Sequence, residues 1–445
     1  MLNTLGQTVP FTLINMTTST IVSIASDPYL KIYPLINVLW RQHQMSYVIL
    51  SSRTLAPHPT FPLQLRRGIF TFIKKYLSLE PYVSRYGAST SGELYGDQEH
   101  YNYDTSISFN TSSYPVARFV NEFGFHSLAS IYTLDRILQS EEDYHFNSSV
   151  IRAHNKVGYF PLKNPPAGSL EYPYPADRGQ NSLMTGVTRY YPTPNITGDA
   201  RALLAQWAYA SQVFQAAFMA SQISYYRLGA SRGERNMVND VWEGTSWSSI
   251  EYTGRWKIFH YLAERVQSHV IITPIYHVKN ETLDIYGTTL PATNFRKPRK
   301  IGPLNSTRLL RTSGLSAIVP NGHPPHDAWL HLTLTTNDGK HANEQFFHPV
   351  KLKDCLLRPT KVSSRAIGHN QISLQVAHGG VAAWVNGVRG YFKDMKTNQA
   401  SNAIFLRPNE TRNLEFVVKS YDHPDLTRNL ESKMVVRTMW DNQHR

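Results

Sequence analysis

YPVARFVNEFGFHSL, residues 114–128, reads as a short apolar strand around Phe119 and Val120 that delivers Asn121 and Glu122 to its C-terminal end. In a barrel of parallel strands that end is where reacting groups sit, because the loops leaving the strands gather there. On this segment alone, Glu122 reads equally as a carboxylate that caps a loop or pairs with Arg118.

Working outward, GDQEHYNYDTS (96–106) opens a turn with Gly96 and Asp97 and then offers His100, Tyr101 and Tyr103 to line a sugar-sized cleft. Downstream, NDVWEGTSWSSIEYTGRWKIFHY (239–261) contributes Trp242, whose ring face suits the apolar side of a pyranose. Trp247 and Trp256, in the same stretch, read as scaffold.

These three segments, in this order and spacing, resemble glycoside hydrolase family 2, and NEFGFHS with TSWSSIEYTGRWKIFHY resembles its secreted fungal β-mannosidases. The resemblance runs over residues 76–445. It implies an α/β plus all-β fold, the C-terminal part of a (β/α)8 TIM barrel followed by two immunoglobulin-like β-sandwiches. The domains expected are an unmatched segment 1–75, a half-barrel 76–270, a sandwich 271–354 and a final sandwich 355–445.

The activity implied is exo-hydrolysis of terminal non-reducing β-mannose from β-mannosides, manno-oligosaccharides and N-glycans, with Glu122 as nucleophile and Asn121 beside it. Retaining hydrolysis needs a second, protonated carboxyl about 5–5.5 Å from the attacking one. The attacking group must stay ionised, so His100 with the Tyr101 or Tyr103 hydroxyl is expected to orient it and hold its pKa down. The competing reading is that these rings simply pack. The family's acid/base glutamate lies in an Asn-Glu pair well before the nucleophile, whereas here no Glu precedes Glu80. The later Asn280-Glu281, Asn343-Glu344 and Asn409-Glu410 pairs fall in the sandwich region.

A second departure is that only Val238 separates Met237 from Asn239, where the family carries an apolar strand. The two losses together predict an incomplete barrel, which a truncated or misassembled coding sequence would produce. A non-catalytic carbohydrate-binding remnant and another exo-glycosidase of the same family (β-galactosidase, β-glucuronidase or exo-glucosaminidase) stand as alternatives.

Helical periodicity is plain from the Asp199 cap to Gly229, with Leu203, Trp207, Ala210, Phe214, Ala217, Phe218, Ser221 and Tyr225 forming one inward face. A second helix is expected over 254–267, with Trp256, Phe259, His260, Leu262 and Ala263 inward. Beyond residue 270, alternation at Leu330/Leu332/Leu334, Ile372/Leu374/Val376 and Leu414/Phe416/Val418 predicts half-buried strands. A boundary between two sandwiches is expected near 349–359.

Bulk properties narrow the partners. The chain has 445 residues, long enough for two or three cores, with 12% aromatic and 17% charged residues, which argues against extensive disorder. The net charge of +13 comes from scattered Lys and Arg; the one dense cluster, Arg296, Lys297, Arg299 and Lys300, is interrupted by Pro298, so nucleic-acid binding is not expected. One cysteine, Cys355, forms neither an intramolecular disulfide nor a metal motif, and no cofactor is implied. No stretch suits a membrane span. Asn-x-Ser/Thr sequons at Asn15, Asn110, Asn147, Asn195, Asn280, Asn305 and Asn409 would be acceptors in the secretory pathway, yet residues 1–30 hold no Lys or Arg, so no signal peptide is visible. Secretion, and compatibility with a homodimer, rest on the resemblance.

Overall fold

The computed structural model describes residues 98–115, 119–155, 177–228, 232–233, 240, 242–289, 293–294, 300–301, 305–312, 314, 326, 328–336, 342–357, 359, 362–376, 380–386, 390–407, 409–418 and 434–444. The chain divides into units Met1–Ser91 and Gly92–Arg445, and every described residue lies in the second. The 1–75 segment, Asn15, Arg118, Gly229 and 237–239 lie outside the described residues, as does the basic cluster except for the backbone of Lys300.

Three parallel strands form the sheet of the α/β part: β1 (Gln98–His100), β2 (Phe119–Phe123) and β3 (Arg232–Gly233), in the order β1-β2-β3. The two-residue β3 lies before the Met237–Asn239 gap and pairs with β2, Arg232 opposite Phe119 and Gly233 opposite Val120. Around it stand α1 (Ile131–Leu134), α2 (Ser149–Ala153), α3 (Asp177–Tyr190), α4 (Ala200–Leu228) and α5 (Ile258–Val266).

The α4 helix begins where the sequence placed it, since the Asp199 carboxylate accepts from the Ala202 amide at 2.8 Å and caps an otherwise orphaned N–H. Its burial differs from the expected single face. Ala210, Phe214 and Phe218 are buried, but Leu203, Trp207, Ala217, Ser221 and Tyr225 are only half-buried, while Gln206, Gln212, Gln215 and Gln222 are fully enclosed. A helix packed on most sides has no one apolar stripe for a period to report.

The α5 helix is shorter than expected because Gly254 adopts a left-handed φ of +79° in the turn before it, a conformation that glycine accepts without the Cβ penalty. Its inward residues are Ile258, Phe259, Tyr261, Ala263 and Val266; Trp256, His260 and Leu262 are half-buried.

After α5 the chain becomes antiparallel. The strands β4 (Val270–His277), β5 (Thr282–Thr289) and β8 (Asn305–Arg311) form one sheet, β6 (Thr293–Asn294) and β7 (Lys300–Ile301) a small pair, and β9 (Leu330–Thr335) with β10 (Ala342–Phe347) a hairpin. Val270, Ile272, Leu283, Ile285 and Leu334 are their common core. Then β11 (Val362–Gly368), β12 (Gln371–Val376), β16 (Thr411–Val418) and β14 (Gly390–Asp394) form a four-stranded sheet, and β15 (Ala403–Leu406), β13 (Gly380–Asn386) and β17 (Val435–Arg437) a three-stranded one. Ile372, Leu374, Ile404, Leu406, Leu414 and Phe416 fill the space between them, the alternation expected of inward-facing strand residues. A final short helix, α6 (Asp441–His444), returns to α4, where Gln206 Nε2 donates to the Asp441 carbonyl at 2.6 Å.

Candidate functional site

The segments that leave β1 and β2 at their C-terminal ends meet the segment around Trp247. From the first come Tyr101 and Tyr103; from the second, Gly124 and His126. The Trp247 indole N–H donates to the Tyr103 hydroxyl at 2.7 Å, and Tyr101 stands edge-on to the same indole with ring centroids 6.0 Å apart. Tyr103 also packs on Phe125 and on the edge of His126. Burial raises the Tyr103 phenol pKa, so the hydroxyl stays protonated near neutrality. With its oxygen accepting from the indole, its proton is left to donate elsewhere.

Glu122 is half-buried one residue before the end of β2. The pairing of β1 with β2 slips by one residue there: Gln98 lies opposite Val120, but Glu99 opposite Glu122 and His100 opposite Phe123. A bulge of this kind twists a strand end and re-aims the side chains beyond it. Asn121 is the extra backbone position; its side chain lies outside the described residues. His100 packs against Tyr114, and burial lowers its pKa, favouring the neutral ring.

Gly124 marks a close approach. A Cβ built there would sit 3.2 Å from Trp247 Cδ1 and 3.5 Å from Met219 Sδ, which explains a glycine directly after Glu122-Phe123. His126, completely buried, faces the Gly179 carbonyl through Nε2 at 3.0 Å. A carbonyl only accepts, so Nε2 carries the proton and Nδ1 is left as a buried acceptor with no hydrogen-bond partner among the described residues. Burial pushes its pKa down to about 3, opposed by the Gly179 carbonyl and reinforced by the Lys257 charge.

Two scaffolds hold these loops. On α4, Gln215 donates to the Phe125 carbonyl at 2.9 Å and accepts from Ser127 Oγ at 2.8 Å, while Gln212 donates to the Leu128 carbonyl and accepts from the Ile258 amide. In the segment around Trp247, Glu251 accepts from the Ser130 amide (2.8 Å), the Ser130 and Thr133 hydroxyls and Gln212, which covers the α1 N-terminus with a carboxylate. Asp240 accepts from Ser246 and Ser248, and Lys257, wholly buried 3.9 Å from it, donates to the Ser127 and Ser246 carbonyls. Buried charges persist only with such partners.

Trp242 is placed differently from the tyrosine group. It is 39% exposed and stacks on His154, ring centroids 4.3 Å apart and planes 19° off parallel. Tyr101 and Tyr103 make their ring contacts with Trp247, Phe125 and His126 instead. Trp256 stacks on Tyr391 of the last domain at 4.9 Å, a packing role. The site residues that sequence reading passed over are His126, Gln212 and Gln215, and Trp247, read from sequence as scaffold, donates to the Tyr103 hydroxyl. The only signal for the glutamines was two polar side chains one turn apart inside an apolar helix.

Of the sequons, Asn110, Asn147, Asn195, Asn280 and Asn409 are exposed, and the Asn305 side chain lies outside the described residues. Among the described residues no group of three or more His, Cys, Asp or Glu side chains could hold a metal ion, and no helix is long and apolar enough to cross a membrane.

A family model for the Ig-fold domain of mannosidases matches residues 357–442. β-Mannosidase A of Aspergillus terreus is 33% identical over 403 residues, covering 81% of this chain and 41% of that protein. The Aspergillus niger β-mannosidase A is 33% identical over 420 residues, covering 82% and 42%. The chain thus spans about two fifths of the length of these relatives. Among solved structures, the β-D-mannosidase of Dictyoglomus thermophilum shares the fold with a TM-score of 0.58 at 14% identity, over 89% of this chain and 50% of that one.

Proposed function

We propose that this chain, homologous over about four fifths of its length to part of β-mannosidase A, carries the nucleophile side of a retaining, exo-acting β-mannosidase site. The observation that carries the reading is the contact of Tyr101 and Tyr103, just past β1, with Trp247, in the α/β part that holds Glu122 near the end of its central strand. In this reading β1, β2 and β3 are strands of a (β/α)8 barrel, followed by two β-sandwich domains.

Glu122 attacks the anomeric carbon as a carboxylate, and Tyr103, its oxygen engaged by Trp247, presents a hydroxyl proton to that site. Trp242 supplies a ring face for a pyranose, whereas His100, opposite Phe123 and packed on Tyr114, belongs to the other face of the sheet from Glu122. The substrates are terminal β-mannosides of manno-oligosaccharides or N-glycans, reached in the secreted setting of the fungal relatives. The family's acid/base glutamate has no counterpart before Glu80, so the chain by itself is expected to bind sugar and to form the glycosyl-enzyme only with a leaving group that needs no proton.

The test uses a dinitrophenyl β-mannoside, whose phenolate departs unprotonated. Glu122 displaces it to give the mannosyl ester, and added azide then attacks the anomeric carbon to release β-mannosyl azide and free Glu122. Phenolate release accelerated by azide and absent in Glu122→Gln supports the nucleophile. Release that survives in Glu122→Gln sinks it. Azide-independent turnover of p-nitrophenyl β-mannoside would mean that a second carboxyl completes the site. Mannobiose binding without any phenolate release would instead favour the non-catalytic carbohydrate-binding reading.

A further inference from the structure

His154 ends α2 and lies under Trp242, and nothing in the proposed chemistry uses it. Its ring covers one indole face at 4.3 Å and 19°. Its Nδ1 is 2.8 Å from the Glu243 carbonyl; since that oxygen only accepts, Nδ1 carries the proton. Its own carbonyl accepts from the Thr245 amide at 2.9 Å, and Asn155 bridges Thr245 in parallel. The same loop is pinned again by the Arg136 guanidinium, 3.0 Å from the Glu243 carboxylate, and by the Gly244 amide donating to the Trp242 carbonyl. One residue thus contacts Trp242, Glu243 and Thr245.

We infer that His154 is the positioning residue that turns Trp242 into a one-sided stacking platform for a pyranose ring. This rests on the carbohydrate-binding reading of the site. An indole at 39% exposure with nothing behind it rotates among staggered χ1 wells; backed by a parallel ring and a pinned loop, it offers a single face in a single orientation, so less is lost in ordering it when sugar binds. Neither segment hints at the pair, because His154 precedes Trp242 by 88 positions and belongs to a different loop.

Two substitutions separate the contacts. His154→Phe keeps a ring against the indole and loses the bond to the Glu243 carbonyl; His154→Asn keeps a donor at the Nδ1 position and loses the ring. The full chain is labelled with fluorotryptophan, and the Trp242 resonance is assigned by its disappearance in Trp242→Phe. The expected result is that this resonance shifts and broadens in His154→Asn and stays near its parental position in His154→Phe, with equal thermal midpoints. Mannobiose affinity is expected to fall roughly threefold to tenfold in His154→Asn, the scale of one aromatic contact, and to be restored in His154→Phe.

An unchanged Trp242 resonance in His154→Asn overturns the inference, and that measurement needs no ligand. Weakened mannobiose binding in Trp242→Ala alongside parental binding in His154→Asn also overturns it while leaving the sugar site standing. Parental binding in Trp242→Ala removes Trp242 from the sugar site and fails the reading beneath it.

Discussion

Acidification should unfold this chain earlier than its carboxylates alone would predict, and His126 supplies the reason. The ring is completely buried, donates through Nε2 to the Gly179 carbonyl, and has its pKa pushed from 6.5 down to about 3. In the unfolded chain it takes a proton near its ordinary value, so below that value the unfolded state binds one more proton than the folded state. Stability therefore is intact above about pH 6.5 and falls as pH drops from there toward about 3. At about pH 5 the gap of roughly 1.5 units costs about 2 kcal/mol, in a window where most unperturbed carboxylates are still ionised. Urea unfolding followed by tryptophan fluorescence at about pH 7 and about pH 5 reads the loss. His126→Gln, whose amide can still donate to Gly179, should be less stable at neutral pH but lose about 2 kcal/mol less on acidification. A parental chain equally stable at both values, or a His126→Gln variant with the parental acid loss, would refute the assignment.

Three substitutions test the supporting contacts. Glu251→Ala leaves Ser130, Thr133 and Gln212 donors without their acceptor in a buried site, and should cost about 3 kcal/mol in denaturant unfolding; a loss under about 1 kcal/mol would mean that water takes its place. Asp199→Ala removes the carboxylate from the Ala202 amide and should cost about 1 kcal/mol, with Asp199→Asn close to parental. Gly124→Ala places a methyl 3.2 Å from Trp247 Cδ1; the ring must give by a few tenths of an ångström, so about 1–3 kcal/mol is expected together with a changed near-ultraviolet tryptophan signal, and an unaltered spectrum would deny the contact.

Local pattern alone determined a good part of this protein. Alternation at Ile372/Leu374 and Leu414/Phe416 marks strands whose inner residues are fully buried, because a strand's two faces differ whenever one side is a core. The Asp199 cap was legible because capping is a local hydrogen bond between residues three apart. The apolar run ending at Asn121-Glu122 marked the strand end for the same local reason. Tertiary structure alone decided the contacts between partners distant in sequence. Tyr103 and Trp247 are 144 residues apart, so nothing in either segment distinguishes a hydrogen-bonded pair from two packing rings. The enclosure of α4 was hidden because its buried glutamines bind backbone carbonyls of other loops, and a polar side chain satisfied at a distance looks like a surface residue until its partners are in place.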